Sequence, residues 1–368
     1  MKRISFLIKP ASSLCNLRCR YCFYNDISEI RQQKSYGIMQ ESVASYLIQR
    51  AIDESDYDAE ITFAFQGGEP TLARLSFYKQ FCAEVKRVKK DAQKVNYLIQ
   101  TNGILIDEEW AAFFKQEKFL VGVSLDGYET NTNYFRYDDK KQGAYFKIMQ
   151  GIRILKNYEV DFNILTVLTH QLSKHPKALY EFYKKHHFSY VQLIPCLPSL
   201  QQNKKQDEDS LRPHDFASFY KDFYELWLKD YQKGNYMSVS LFDNVIPMFA
   251  DLPPQQCGML GFCSPQLVVE ADGSIYPCDF YVMDHYRCGN IVDNTISEII
   301  KNERMVRFLH EEKRMNVECQ NCPFYSICRG GCKRQNVVYF EDNSSYCGYR
   351  DFLTYAYASM IRIARTLK

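Results

Sequence analysis

The sequence predicts an α/β fold, a partial (β/α)6 TIM-like barrel followed by a C-terminal cysteine-rich domain. Three observations carry this prediction. Six short apolar runs alternate with longer amphipathic stretches between residue 4 and about residue 200, turn-forming residues follow each of the first four runs, and nine of the 14 cysteines crowd between Cys257 and Cys347.

The apolar runs occupy 4–9, 60–65, 95–100, 120–125, 161–168 and 190–195. Rich in Ile, Val, Phe and Tyr and nearly continuous in apolar character, they read as parallel strands buried on both faces. Helical patterns fill the intervals at 40–55, 75–89, 107–116, 145–156 and 176–186. Six such units imply a parallel sheet curling toward a barrel that eight would close. Residues 201–210 are polar and charged and read as an exposed excursion, followed by an aromatic helix at 214–231. A hairpin at 266–276 turns at Asp272-Gly273, where positive φ is favoured. A last helix covers 351–367, and the domain boundaries expected are 1–235 for the barrel, 236–256 for a bridge and 257–368 for the cysteine-rich domain.

Composition excludes several classes. Lys+Arg 46 against Asp+Glu 44 leaves a net charge of +2, which offers no field for binding nucleic acid. Hydrophobic residues at 46% and charged residues at 24% are globular values. The first ten residues are too short in apolar character for a secretory segment, and no run is long enough for a membrane span, so a cytoplasmic location is expected. In a reducing compartment, clustered thiols bind metal more often than they pair as disulfides.

The special loops all fall at the carboxyl ends of the strands. Cys15–Cys22 follows the first, Gly67-Gly68-Glu69-Pro70 the second, Thr101-Asn102-Gly103 the third and Asp126-Gly127 the fourth. That rim carries chemistry in parallel barrels. Turn formation alone explains each loop singly, but not why a cysteine triplet opens the series. Cys15-x3-Cys19-x2-Cys22 supplies three thiolates, leaving one iron of a cubane cluster open to a substrate or cofactor. A zinc knuckle would need a nearby fourth ligand, and the first histidine is His170. Eight further cysteines, Cys257, Cys263, Cys278, Cys319, Cys322, Cys328, Cys332 and Cys347, are the number needed for two fully ligated cubanes; two structural zinc sites are the plainer alternative. Cys82, Cys196 and Cys288 remain; Cys82 and Cys196 read as small buried apolar residues, and Cys288 has no ligand role.

The segments LIKPASSLCNLRCRYCFY, FAFQGGEPTLA, QTNGILIDEEW and VGVSLDG resemble radical S-adenosylmethionine (SAM) enzymes. With the C-terminal cysteine pattern and the CDFY tetrapeptide, the chain resembles the SPASM subgroup and, over most of its length, the anaerobic sulfatase-maturating enzymes. The resemblance implies three [4Fe-4S] clusters and bound SAM. Cys15, Cys19 and Cys22 would hold the first cluster. Cys257, Cys263, Cys278 and Cys332 would hold one auxiliary cluster, and Cys319, Cys322, Cys328 and Cys347 the other. Tyr21, Gly68, Ser124, Arg136 and Leu197 fall where the family contacts SAM. Each has a plainer role as turn, core or surface charge.

The implied activity is oxidation of a peptidyl Cys or Ser of a sulfatase to Cα-formylglycine. It removes a hydrogen atom, a proton and one electron. The proton needs a carboxylate within hydrogen-bonding reach, and Asp279, directly after Cys278, is the candidate by position and by resemblance. An aspartate exposed on a hairpin is the default against which this is weighed. Tyr24 and Gln66 are candidate substrate contacts. Expected partners are an unfolded or nascent sulfatase segment and an electron donor such as flavodoxin or ferredoxin. The alternative is a SPASM enzyme that cross-links, epimerises or forms thioethers in a ribosomally made peptide. Such relatives often carry a leader-binding domain, for which a first strand at residue 4 leaves no room.

Overall fold

The computed structural model describes residues 1–201, 204–341 and 344–367. The fold is mixed α/β with a parallel sheet, and contacts divide the chain into two units. The first combines Met1–Ser124, Arg136–Phe162 and Ser264–Glu311; the second combines Leu125–Phe135, Asn163–Cys263 and the chain from Glu312 onward.

The first unit contains β1 (Arg3–Ile8), β2 (Glu60–Phe65), β3 (Lys94–Thr101) and β4 (Phe119–Ser124), paired in parallel in that order. The second contains β5 (Phe162–Leu168, whose first residue still belongs to the first unit), β6 (Tyr190–Pro195) and β7 (Ser238–Val239), also parallel. On the far side of β1 the first unit adds β8 (Val268–Val269), β9 (Ser274–Tyr276) and β10 (Gly289–Asn290). β8 pairs in parallel with β1, while β8–β9 is the expected antiparallel hairpin, with Gly273 at φ +85°. All six expected strands are present within a residue or two of their predicted bounds, and each is followed by helix.

One expectation is corrected. β1, β2 and β3 are not buried on both faces: β2 alternates, with Ile61, Phe63 and Phe65 sealed and Glu60, Thr62 and Ala64 half-open. The sealed face packs on helices Arg74–Val88 and Glu108–Gln116 through an aromatic layer of Phe63, Phe65, Tyr78, Phe81, Trp110, Phe114 and Phe119. The apolar composition of the runs hid this alternation, because Ala64 and Leu98 look like core residues while facing the open side.

The second unit is built around helices Pro213–Tyr231 and Gly348–Ala364. Phe216, Tyr220, Tyr224 and Trp227 from the first meet Phe242 and Phe352. A Cβ on Gly348 would lie 2.0 Å from the Pro213 carbonyl oxygen, so the two helix starts touch backbone to backbone. The expected excursion at 201–210 is also corrected. Lys204–Asp209 is a short helix, Gln206, Asp209 and Ser210 are buried, and the Asp209 carbonyl accepts from His170 N. Gln202 and Asn203 lie outside the described residues. Cys82 and Cys196 are each 2% exposed, as expected of core residues, and Cys288 is buried to the same degree. Among the described residues no helix is long and apolar enough to cross a membrane.

Candidate functional site

Beyond β1 the chain folds into a compact loop, with Ser12 N donating to Lys9 O and Leu14 N to Ala11 O. The loop after β2 grips it. Gly68 N donates to Ser12 O at 2.9 Å and Glu69 N to Leu14 O at 2.7 Å. A Cβ on Gly68 would fall 2.0 Å from the Leu14 carbonyl oxygen, so glycine is required by close approach. The buried Glu69 carboxylate accepts from Thr71 N at 3.0 Å, Thr101 Oγ1 at 2.7 Å and Asn102 N at 2.8 Å. Burial pushes its pKa up. Asn102 Nδ2 donates in turn to Asn16 Oδ1 at 2.7 Å, so the loops after β1, β2 and β3 form one bonded assembly around the cysteine triplet.

Cys15, Cys19 and Cys22 are half-buried and not joined in disulfides. Leu17 N approaches Cys15 Sγ at 3.4 Å, and Arg18 Nη1 donates to Cys15 O at 2.8 Å. Cys22 stands at the N-cap of helix Phe23–Ile30, where the nearby backbone amides of Asn25 and Tyr24 favour its thiolate. A helix N-terminus favours the thiolate. Against that, burial pushes the Cys15 thiol up to about 12 and the Cys22 thiol up as well. Thiols so placed give up their protons to a bound metal centre rather than to water.

Of the candidate SAM contacts, Tyr21, Gly68, Ser124 and Arg136 belong to the first unit and are close to sealed, apart from the backbone-lined Gly68. The Arg136 guanidinium sits over the Tyr21 ring, 5.5 Å from its centroid. Ser124 closes β4. Leu197 is buried in the second unit just beyond β6, its carbonyl accepting from Gln206 Nε2 at 3.4 Å.

Asp279 is 8% exposed, which removes the solvent-exposed hairpin reading. Its Oδ2 accepts from the Tyr24 hydroxyl at 2.7 Å and from Gln66 Nε2 at 2.8 Å. The Lys9 ammonium lies 3.0 Å from Oδ1 and 4.3 Å from the Tyr24 ring centroid. That ion pair is out of line for a hydrogen bond, so Oδ1 is buried without a hydrogen-bond donor. Tyr24 and Gln66, expected as substrate contacts, thus have their polar ends committed to Asp279. Burial, with the Asp279 charge adding to it, holds the Tyr24 phenol well above its ordinary range, so it stays a donor.

Helix Phe23–Ile30 is held to the hairpin by Ile27 and Phe23 against Val268, Tyr276, Val282 and Met283. A buried ion pair joins Arg31 Nη1 to Glu270 Oε1 at 2.5 Å. The sequence reading missed Lys9 and this pair. A lone lysine ending an apolar strand was the available signal for Lys9; nothing in the spacing of Arg31 and Glu270 marks them as partners.

In the second unit Cys319, Cys322, Cys328 and Cys347 line a single cavity, walled by Phe324, Tyr325, Tyr349 and Leu353. Cys347 caps helix Gly348–Ala364 and its sulfur lies 3.5 Å from Arg350 N. After Cys328 the chain reverses through Arg329, Gly330 and Gly331, all at positive φ. Cys257 and Cys332 lie close enough to Cys263 to act on its charge, although burial is the main cause that raises it. Cys278 lies in the first unit, directly before Asp279. Four free thiols around one cavity fit an iron-sulfur cube.

Comparison with known proteins agrees. Residues 10–183 match the radical SAM superfamily and residues 262–323 match SPASM, an iron-sulfur cluster-binding domain. The chain is 41% identical to the cysteine-type anaerobic sulfatase-maturating enzyme of Clostridium novyi (strain NT), covering 100% of this chain and 99% of the relative. Identity to the serine-type anaerobic sulfatase-maturating enzyme of Bacteroides thetaiotaomicron is 28%, covering 95% and 87%. The solved structure of native anSMEcpe with bound AdoMet and Kp18Cys peptide superposes with a TM-score of 0.91 at 37% identity, covering 99% of both chains.

Proposed function

The chain belongs to the anaerobic sulfatase-maturating enzymes of the radical SAM superfamily, and from that membership we propose that it oxidises a peptidyl Cys or Ser of a sulfatase to Cα-formylglycine, with Asp279 as proton acceptor. The observation that carries this reading is the buried Asp279 carboxylate, fixed through Oδ2 by Tyr24 and Gln66 while Oδ1 keeps an open lone pair. Cysteine is the preferred residue in this reading, supported by 41% identity to a cysteine-type relative against 28% to a serine-type one.

When bound, SAM and the iron-sulfur clusters supply the hydrogen-abstracting radical and accept the electron released by the substrate. By the family assignment Cys15, Cys19 and Cys22 would hold the cluster that SAM binds, and Tyr21, Gly68, Ser124, Arg136 and Leu197 would contact SAM. Cys257, Cys263, Cys278 and Cys332 would hold a second cluster, and Cys319, Cys322, Cys328 and Cys347 a third. The domain limits that go with this assignment are 1–235, 236–256 and 257–368.

Within that frame Asp279 takes the thiol or hydroxyl proton through Oδ1. Lys9 stabilises the carboxylate before transfer, and Tyr24 and Gln66 prevent it from rotating away. The substrate is a flexible sulfatase segment, and a flavodoxin- or ferredoxin-type carrier supplies electrons in the cytoplasm.

The test is anaerobic incubation of cluster-loaded protein with SAM, reductant and matched Cys- and Ser-containing sulfatase peptides, followed by mass spectrometry. Aldehyde formation on the Cys peptide, faster than on the Ser peptide, is expected. Cleavage of SAM with neither peptide altered would overturn the assignment of substrate.

A further inference from the structure

The buried pair of Arg31 and Glu270 has no part in the chemistry described above, yet it joins the two segments of the first unit that supply Tyr24 and Asp279. Arg31 is the C-cap of helix Phe23–Ile30, which carries Tyr24, and Glu270 belongs to the hairpin that leads to Asp279. Both side chains are sealed, at 2% and 1% exposure. Besides Glu270 Oε1, the guanidinium reaches Lys34 O through Nη2 at 2.8 Å. The same carbonyl accepts from Ser13 Oγ at 2.7 Å, and Tyr36 N donates to Ser12 Oγ at 3.1 Å. One side chain thus ties together the helix, the hairpin and the loop that leads into the cysteine triplet.

Stability does not explain such a pair. Burying two charges forfeits their hydration, which the attraction between them does little more than repay. Arg31 Nε adds to the cost, since it is buried with no acceptor among the described residues. What the pair offers is direction. Ile27 and Phe23 of the helix pack on Val268, Tyr276, Val282 and Met283, but apolar contacts fix proximity rather than angle. The hairpin's hold on β1 is short, with Leu7 opposite Val268 and Ile8 opposite Val269. Gln32 N donates to Asp284 Oδ2 at 2.9 Å, but at the surface, where water competes. A productive carboxylate must be held to within about 0.5 Å, and a rigid guanidinium fork between sealed segments can do that.

We propose that Arg31 and Glu270 are positioning residues: their ion pair sets the angle between helix Phe23–Ile30 and the hairpin, and so aims the Tyr24 hydroxyl at Asp279 Oδ2. This role rests on Asp279 being the proton acceptor of the proposed function. Neither side chain touches substrate, and no proton passes through either. Without the pair the carboxylate drifts from its productive place while SAM is still cleaved, so radical formation and product formation come apart.

The experiment uses full-length, cluster-loaded protein and the double variant Arg31→Met/Glu270→Met, which replaces both charges with apolar side chains. Anaerobic reactions with SAM, reductant and the Cys-containing peptide are read for 5′-deoxyadenosine and formylglycine together. Iron content should equal the parent's, and the denaturant midpoint should lie at or above it. Formylglycine per 5′-deoxyadenosine is expected to fall about tenfold, with the peptide KM within about twofold of the parent's. In an Asp279→Asn background the same double change should cost nothing further, because no base is left to aim. Should the double variant lose iron, Arg31→Lys decides: it keeps the charge but not the fork that holds Glu270 and Lys34 O together, and the ratio is expected to fall about threefold. An unchanged ratio in the iron-replete variant, losses that multiply with that of Asp279→Asn, or a midpoint well below the parent's would overturn the proposal. A parent protein that cleaves SAM and leaves the peptide unaltered would instead count against the proposed function.

Discussion

The Tyr24 hydroxyl donates a 2.7 Å hydrogen bond to Asp279 Oδ2, joining a residue two positions after Cys22 to the one directly after Cys278. A candidate base from the cysteine-rich part of the chain is thereby oriented by a side chain from the cysteine triplet's own helix.

Asp279→Asn should retain SAM cleavage and full iron content but lower formylglycine yield by at least about 100-fold, the contribution typical of general base catalysis. Mass spectrometry of the peptide and quantification of 5′-deoxyadenosine in the same reaction separate the two effects. Equal product from both proteins would remove Asp279 from the mechanism.

Tyr24→Phe removes one donor to the carboxylate while keeping the ring that stacks on Phe23. A loss of about tenfold is expected, equal to one hydrogen bond to a charged group. Because the phenol is held well above its ordinary range, it keeps its proton throughout the working pH. The pH profile of Tyr24→Phe should therefore fall in height without changing shape between pH 6 and 9. A profile whose alkaline limb disappears in the variant would mean that Tyr24 titrates.

Gly68→Ala places a methyl group 2.0 Å from the Leu14 carbonyl oxygen, and backbone must move to accept it. Displacement of the loop before Cys15 should weaken SAM binding about tenfold or more and lower the thermal midpoint. Equilibrium dialysis with labelled SAM reads the first effect and calorimetry the second.

Glu69→Gln presents an amide NH2 to a carboxylate site in which Thr71 N, Thr101 Oγ1 and Asn102 N are donors. One donor must then face another, at a cost of about 1–3 kcal/mol. Denaturant midpoints of the two proteins test this, and an unaltered midpoint would show that the loops rearrange freely.

Cys15→Ala should abolish 5′-deoxyadenosine formation and remove about four iron atoms per chain, leaving the other clusters. Iron analysis and visible absorption check the first cluster independently of turnover.

The strands were readable because a barrel strand and the turn that ends it are local features: β2 and β6 were located to the residue, and the glycine pair after β2 marked a tight approach. The half-open face of β1–β3 was not readable, since Ala64 and Leu98 satisfy a core pattern whichever side they face. β7 and β10 were missed because two-residue strands carry no periodicity. In the site, Asp279, Tyr24 and Gln66 were marked singly as candidates, but Lys9 and the contacts among the four were not legible. Lys9, Tyr24 and Gln66 meet at Asp279 across more than 200 residues of sequence, and only folding reveals that Gln66 and Tyr24 orient the carboxylate.

That separation has a consequence during synthesis. The residues that grip the carboxylate leave the ribosome within the first 70 positions, whereas the carboxylate arrives only after three-quarters of the chain has been translated. Until then the Lys9 ammonium lacks the counter-ion it has in the folded protein, so a truncated product ending before the hairpin would have neither this ion pair nor the candidate base.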